Sequence, residues 1–501
     1  MQHALWHRVY ITNQKDTARA RCRSFPALGH AQASVAGKGV RRMSVFSLSN
    51  LKKTWYYLQK NGIRNAVWAV LERIGQEQEV YTWQEPDEKT LSFQREHSAS
   101  LRISIVVPAY RTKKEHLEAM LNSVSRQSYP HWELIVADAG GTAESVQAWA
   151  KKNGICLREA ADASNLAEWK DQSIVLCTLS ENKGISANTN AGIELAAGDA
   201  VGLLDHDDLL TANALWEMAD CLEKEKKRGK QKLVLFSDED KCDKAASRFY
   251  EPNFKPDFDG EMLLTNNYIC HFTVIETAFL KELKLRSGFD GAQDYDLMLR
   301  AYAAGGQFVH VPKVLYHWRC HEASTASNPQ SKRYAYEAGQ RALEDYCLRK
   351  GWKATVSGLK HLGFYREDYE DSVFCQRPEI GIWAKPLPGG RDVFGIRHPK
   401  GFLVSGLYEN DGSMRYAGLR KGYSGPMHRA ALQQSAPAAD LRSMEVCSAL
   451  KERYAQTIAE LKEACQGLPT AAKETKILQK SMEFCKEATA AGYGILWDPQ
   501  A

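Results

Sequence analysis

The chain has 501 residues, 44% hydrophobic and 25% charged, with 35 Gly and 16 Pro; this is ordinary globular usage, which excludes a collagenous, coiled-coil or largely disordered protein. The net charge of +5 divides unevenly, because residues 1–75 hold 13 Lys/Arg against 2 Asp/Glu and the remaining 426 hold 53 against 59. A slightly acidic body excludes a nucleic-acid-coating surface spread over the fold, so no nucleic acid is expected as a partner.

Residues 1–42 are Arg-dotted, with Asp16 as their only acid. They read as a disordered extension or as sequence ahead of a true start at Met43, and a transit peptide has the same acid-poor composition. Residues 43–100 read as an amphipathic helical arm and a linker. In the arm, Leu51, Trp55 and Leu58, then Ile63, Val67, Val70 and Ile74, recur three or four apart, with Lys52, Lys53, Lys60, Arg64 and Arg73 mostly off that stripe. Basic residues beside Trp and Tyr suit an anionic membrane surface, and a stripe packed on the next domain has the same pattern. Residues 76–100 are polar and acid-leaning, as in a linker.

A different grammar begins at Leu101. Apolar runs at 103–107, 134–137, 174–179, 200–204 and 233–236 alternate with helical stretches such as 114–125, 186–196 and 212–223. This predicts an α/β domain over 101–370 with a mostly parallel sheet, whose ligands bind beyond the carboxyl ends of the strands. The strand-end residues are Pro108-Ala109-Tyr110, Asp138-Ala139-Gly140, Asn182-Lys183-Gly184, Asp205-His206-Asp207-Asp208 and Ser237-Asp238-Glu239-Asp240. Carboxylates converging on one edge repel one another unless something positive lies between them. Oxygen ligands spaced as Asp205 and Asp207 are suit Mg²⁺ or Mn²⁺, although Asp207 or Asp208 capping a helix near Leu209 explains the same pattern. Neither a P-loop nor a G-x-G-x-x-G fingerprint occurs, so no glycine cradle serves a diphosphate.

Residues 103–319 resemble a family-2 glycosyltransferase of the GT-A fold, of the bacterial cell-surface polysaccharide type. The resemblance rests on Val107-Pro108-Ala109-Tyr110, Asp138, Asn182-Lys183-Gly184, Asp205-His206-Asp207-Asp208, Gly291-Ala292-Gln293-Asp294-Tyr295-Asp296 and Tyr316-His317-Trp318-Arg319, in that order. It implies that Pro108, Tyr110 and Asp138, with Asn182, Gly184 and Asp205, bind a UDP- or dTDP-linked sugar. Asp205 and Asp207 become a D-x-D pair for Mn²⁺ or Mg²⁺, with His317 as a further ligand. Asp294 becomes the catalytic base of an inverting transfer, whereas the residues alone allow it to be a helix cap. Trp318, Arg319 and Asp238 are weaker candidates for acceptor or diphosphate contacts. Family members often carry Glu-Asp where this chain has Gln293-Asp294, and a second Asp where it has Ala139.

Residues 371–501 read as a C-terminal domain with a helical part from about 440 to 490 and a faint likeness to the later part of another GT-A module. The twelve cysteines occur singly, with no C-x-x-C pair, as expected in a reducing compartment. No run approaches the roughly 18–20 apolar residues of a membrane span. The expectation is a cytoplasmic, metal-dependent glycosyltransferase, peripheral at the inner face of a membrane, acting on a glycan or lipid-linked acceptor. The alternatives are a non-catalytic glycan-binding or scaffold subunit and a sugar nucleotidyltransferase.

Overall fold

The computed structural model describes residues 81–161, 169–255, 257–320, 333–358, 363–384, 413–415, 435–437 and 440–497. The 1–42 extension, the apolar stripe of the arm and much of the stretch from 385 to 439 lie outside the described residues.

The first described helix, α1 (Glu88–Glu96), is capped by Asp87, whose carboxylate accepts the Thr90 N–H at 2.8 Å. Strand β1 (Ile103–Ala109) leads to α2 (Lys114–Ser125), then β2 (Trp132–Asp138), α3 (Ala143–Asn153), β3 (Cys156–Glu159) and β4 (Ser173–Thr178). Helix α4 (Ile185–Leu195), β5 (Ala200–Leu203), the two-residue β6 (Leu209–Leu210) and α5 (Ala214–Lys227) follow. Next come β7 (Leu233–Cys242), β8 (Phe249–Asn253), α6 (Gly260–Thr265), β9 (Thr273–Glu276) and α7 (Thr277–Leu283). Helix α8 (Gln293–Ala303), β10 (Gln307–Arg319), α9 (Arg333–Lys350) and the hairpin of β11 (Ala354–Gly358) with β12 (Tyr365–Tyr369) close the domain.

The main sheet has the order β3-β4-β2-β1-β5-β9-β7-β10-β6, with β8 beside β7. Its strands run parallel except for β9, which is antiparallel to β5 and β7, and the edge pairings of β6 and β8. This is the α/β, GT-A arrangement that the resemblance implies. Strands β1 and β2 are buried along nearly their whole length, because helices cover both faces of a parallel sheet; hence their runs of Ile, Val and Leu. One apolar cluster lies under α2, α3 and α5, and a second under α4, α6, α8 and α9. Gly192 lets α4 lie close on β1, since a Cβ there would meet the Val106 side chain at 2.7 Å.

Two readings of the sequence are corrected. The stretch from Tyr81 to α1 is a strap held on the domain rather than a linker: Tyr81 donates to Asp240 at 2.6 Å, Trp83 packs edge-on to His317, and the buried Gln94 accepts from Ser128. Three anchors in an otherwise polar stretch are enough to seat it, and average composition hides them. No helix begins near Leu209; the chain there forms β6, pairing with Leu209 and Leu210 against His317 and Tyr316 of β10.

Beyond the catalytic domain, β13 (Ile380–Ala384) pairs with β14 (Met444–Val446) and β15 (Gly494–Trp497), backed by α10 (Lys451–Ala464) and α11 (Thr470–Ala490). A third apolar cluster, including Ile382, Leu461 and Phe484, fills this module. Its junction with the catalytic domain is a buried bidentate pair between Arg377 and Glu261, the guanidinium also lying 4.8 Å from the Trp352 ring centroid. None of the described cysteines is in a disulfide, and no helix among the described residues is long and apolar enough to cross a membrane.

The same junction carries a pH-sensitive group. Burial, then the charge of Glu261, pushes the Glu367 carboxyl up to about 8. A folded pKa above the unfolded one means that this group's contribution to stability is complete below about 4.5 and is lost as pH rises through 8. Replacing Glu367 by Gln, which imitates the protonated acid, should leave the urea midpoint unchanged near pH 4 and raise it at pH 9. A gain that is equal at both pH values would contradict the shift.

Candidate active site

The strand ends place the predicted residues in two groups. On the β1–β2 side, Pro108 closes β1 beside Ala137, and Tyr110 stands 39% exposed with Arg111 over its ring at 5.0 Å. Tyr110 also lies over Gly140, leaving a flat aromatic face at the cleft edge of the kind on which a planar base stacks. Asp138 is buried beneath this face. Its carboxylate accepts backbone N–H groups from Gly140 (3.0 Å), Thr142 (3.2 Å) and Ala143 (2.9 Å), so it shapes the loop and the start of α3. Asn182 likewise builds a turn, accepting from Gly184 N–H and the Asn188 amide. Gly184 is required by its φ of 95° and by Asp290, whose carboxylate oxygen would lie 2.3 Å from an added Cβ. Through Ser186 N–H, Asp290 ties the loop before α8 to the N-terminus of α4.

The second group is the D-x-D turn. Asp208 is buried, accepting the Tyr316 hydroxyl at 2.6 Å and the Arg319 N–H at 2.7 Å. Burial and the neighbouring Asp207 and Asp205 raise its pKa well above the carboxylate range. Asp205 faces the cleft with 44% of its side chain open. Although solvent reaches it, the surrounding walls deprive it of hydration and raise its pKa; His271 opposes that rise, while Asp207 and Asp294 add to it. Asp294 therefore bears electrostatically on Asp205.

Asp294 lies in the first turn of α8, whose N-cap is Ala292, so it is not the cap residue. Its Oδ2 accepts from the Asn267 amide at 2.9 Å and its Oδ1 from Tyr295 N–H at 2.8 Å. Gln293, where relatives often have Glu, accepts from Gly291 N–H at 2.8 Å and closes the preceding loop.

Sequence reasoning missed the imidazole that borders this cleft. His271 Nε2 is 4.0 Å from Asp205, its Nδ1 is 3.1 Å from Glu239, and its ring stacks on Tyr316 with centroids 4.9 Å apart. Burial lowers its pKa, but the hydrogen bond and charge of Glu239, then the charge of Asp205, carry it up to about 9. Burial in turn raises Glu239, yet the Lys255 charge and His271 hold it at about 2. No motif marks His271 in the sequence; only its place just before the antiparallel β9 brings it to the site.

Three predicted contacts point elsewhere. His317 is 4% exposed, bonded through Nδ1 to Asp240 and packed between Trp83 and Phe249. Asp238 is fully buried, accepting from Lys255 N–H at 2.9 Å and His310 at 2.8 Å. Arg319 is buried and donates to the carbonyls of Asp207 and Lys244, fixing the D-x-D loop from behind. Trp318 does border the cleft, its ring 5.8 Å from that of His271.

Among the described residues, no three His, Cys, Asp or Glu side chains gather to hold a metal unaided. Asp205 and Asp207 nevertheless fit a hard cation that takes one or two carboxylates and completes its shell with phosphate and water; the repulsion that raises Asp205 is what such a charge relieves. Replacing His317 by Asn should lower thermal stability by about 1–3 kcal/mol through loss of the imidazole bond to Asp240 and of its packing between Trp83 and Phe249. Mn²⁺ affinity measured by calorimetry should not change; a marked loss of it would return His317 to the metal site.

Comparison with known proteins agrees with this geometry. Residues 104–283 match the family model described as glycosyl transferase family 2. An uncharacterized protein, y4gI of Sinorhizobium fredii, is 36% identical over 255 residues, covering 50% of this chain and 26% of its own length. The O-antigen biosynthesis protein RfbC of Myxococcus xanthus is 34% identical over 256 residues, 51% of this chain and 19% of that protein. The amylovoran biosynthesis glycosyltransferase AmsB of Erwinia amylovora is 28% identical over 232 residues, 43% of this chain and 70% of its own. This chain thus spans only about a quarter and a fifth of the first two relatives. Residues 104–283, which include most of the sheet and the D-x-D turn, thus carry the likeness to glycosyl transferase family 2.

Proposed function

We propose that the chain transfers a sugar, with inversion, from a UDP- or dTDP-linked donor to a glycan or lipid-linked acceptor in surface polysaccharide synthesis. The observation that carries this reading is that Asp294, held by the Asn267 amide and the Tyr295 N–H, bears electrostatically on Asp205, which brings a candidate base and the D-x-D turn into one neighbourhood. Tyr110 offers the stacking face for the base, and Pro108 and the Asp138-shaped loop form the wall beside it. Asp205 and Asp207 would hold Mn²⁺ or Mg²⁺, which supplies Lewis-acid neutralisation of the departing diphosphate. Asp294 takes the proton of the acceptor hydroxyl as its oxygen bonds to C1 from the face opposite the leaving group. The C1–O bond to phosphate breaks, and the nucleoside diphosphate leaves with that electron pair. Trp318 and the protonated His271 border the same cleft, where an aromatic face and a cation suit sugar and phosphate respectively.

The acceptor class and the membrane location rest on the relatives' roles in O-antigen and amylovoran biosynthesis and on the basic arm of residues 43–75. Each Lys or Arg near an anionic surface contributes about 1 kcal/mol, enough together for reversible attachment.

Three experiments test these parts. In a panel of UDP- and dTDP-sugars with Mn²⁺ or Mg²⁺, one donor should release nucleoside diphosphate, and EDTA should stop it; no donor binding across the panel would refute the enzymatic reading. Asp294→Asn should keep donor binding while turnover falls about 10²–10⁴-fold, the usual contribution of a general base. Deleting residues 43–75 should abolish salt-sensitive sedimentation with phosphatidylglycerol vesicles, and unchanged sedimentation would end the membrane-arm reading.

A further inference from the structure

The segment 266–272 enters the site between α6 and β9 and is fixed along its length. Asn266 bridges to Phe364 next to β12, the ring of Tyr268 is buried, and Lys255 reaches from below to the carbonyls of Ile269 and His271. A segment held in this way has a defined geometry at the two side chains it turns toward Asp294.

Those side chains are Asn267 and Cys270. A carboxylate only accepts, so the group of Asn267 that faces Asp294 at 2.9 Å is its NH₂. Burial, then the charge of Asp294, raises the pKa of the nearby Cys270 thiol well above normal, so it keeps its proton. The Tyr295 N–H is the second donor. An ionised carboxylate has about four lone-pair sites. With one protein donor on each oxygen, sites remain for a substrate hydroxyl and the plane in which they are offered is fixed. The Asn267 carbonyl oxygen, meanwhile, is buried without a partner among the described residues, an arrangement that costs about 1–3 kcal/mol and that a purely packing residue would avoid.

Building on the reading of Asp294 as the base, we propose that Asn267 is a positioning residue: its amide orients the Asp294 carboxylate for proton removal from the acceptor. Misplacing a reacting group by about 1 Å costs up to about 10²-fold in rate, so the effect belongs in turnover rather than in donor affinity.

The test compares Asn267→Ala, Asn267→Asp and Asp294→Asn in the full chain. It follows nucleoside diphosphate release from the donor that the panel selects, with water or sugar as acceptor, and donor affinity by calorimetry. Asn267→Ala should lower turnover about 10–100-fold with donor affinity unchanged. Asn267→Asp should move the acid limb of the turnover–pH profile upward, because a second carboxylate opposes ionisation of Asp294. Wild-type turnover in Asn267→Ala, an unmoved limb in Asn267→Asp, or loss of donor binding in Asn267→Ala would each overturn the inference. Full turnover in Asp294→Asn, or no release from any donor, would instead remove the base reading and this inference with it.

Discussion

The buried carboxylate of Asp208 governs how the acidic turn is presented. It accepts from the Tyr316 hydroxyl and the Arg319 N–H, so it joins the turn after β5 to the last residues of β10. Without those donors, a carboxylate 1% exposed beside two others would be strongly disfavoured. With them, the third acid of Asp205-His206-Asp207-Asp208 becomes an anchor, and Asp205 is left facing the cleft. The Arg319 side chain completes the clamp by taking the Asp207 carbonyl from behind. Four consecutive residues, three of them acids, are thereby sorted by burial into a support and a reactive face.

Charge on the other side of the cleft is balanced by alternation. Lys255 lies under Glu239, Glu239 grips His271, and His271 faces Asp205. Each member alone would carry a desolvation penalty of several kcal/mol in such a place; in sequence, each offsets its neighbour. Burial still depresses the Lys255 ammonium pKa, the sign of a group whose compensation is incomplete. An imidazolium at the end of the series gives the D-x-D pair a fixed positive neighbour. This places an anion-stabilising group where a diphosphate would lie, independent of any bound ion.

How much of this was legible in the sequence follows from the regularity of each strand. Strands β1, β2, β4 and β5 are uninterrupted apolar runs, so their ends could be counted, and Tyr110, Asp138 and Asp205 fell at the right edge. Strand β10 pairs with β7 through register shifts between Val311 and Val314 and again before Tyr316. Such shifts break the alternation of faces, and one slip turns every later side chain over. That is why His317 and Arg319 looked like site residues yet point into packing, whereas Trp318 between them reaches the cleft. Asp238 was misplaced for a related reason: β7 continues four residues beyond it, so it lies inside the strand and not at its end. His271 and Asn267 were invisible because they occupy an irregular segment before a short antiparallel strand. The candidate base, Asp294, became legible only through the family resemblance.

The C-terminal module enters this chemistry by way of α6. Glu261, on the first turn of that helix, is the partner of Arg377, and the helix ends at Thr265 immediately before Asn266 and Asn267. A buried bidentate pair is weak evidence for added stability, since an apolar contact of the same volume often does as well, but it is effective at fixing register. Here it sets the start of α6 while the Asn266–Phe364 bridge sets its exit, so a helix of 6 residues is held at both ends. The orientation of the Asn267 amide toward Asp294 is then a consequence of contacts made well outside the family-matched residues 104–283. The region whose role the sequence left unreadable contributes at least this constraint: it fixes the helix that leads into Asn267, the donor to the candidate base on α8.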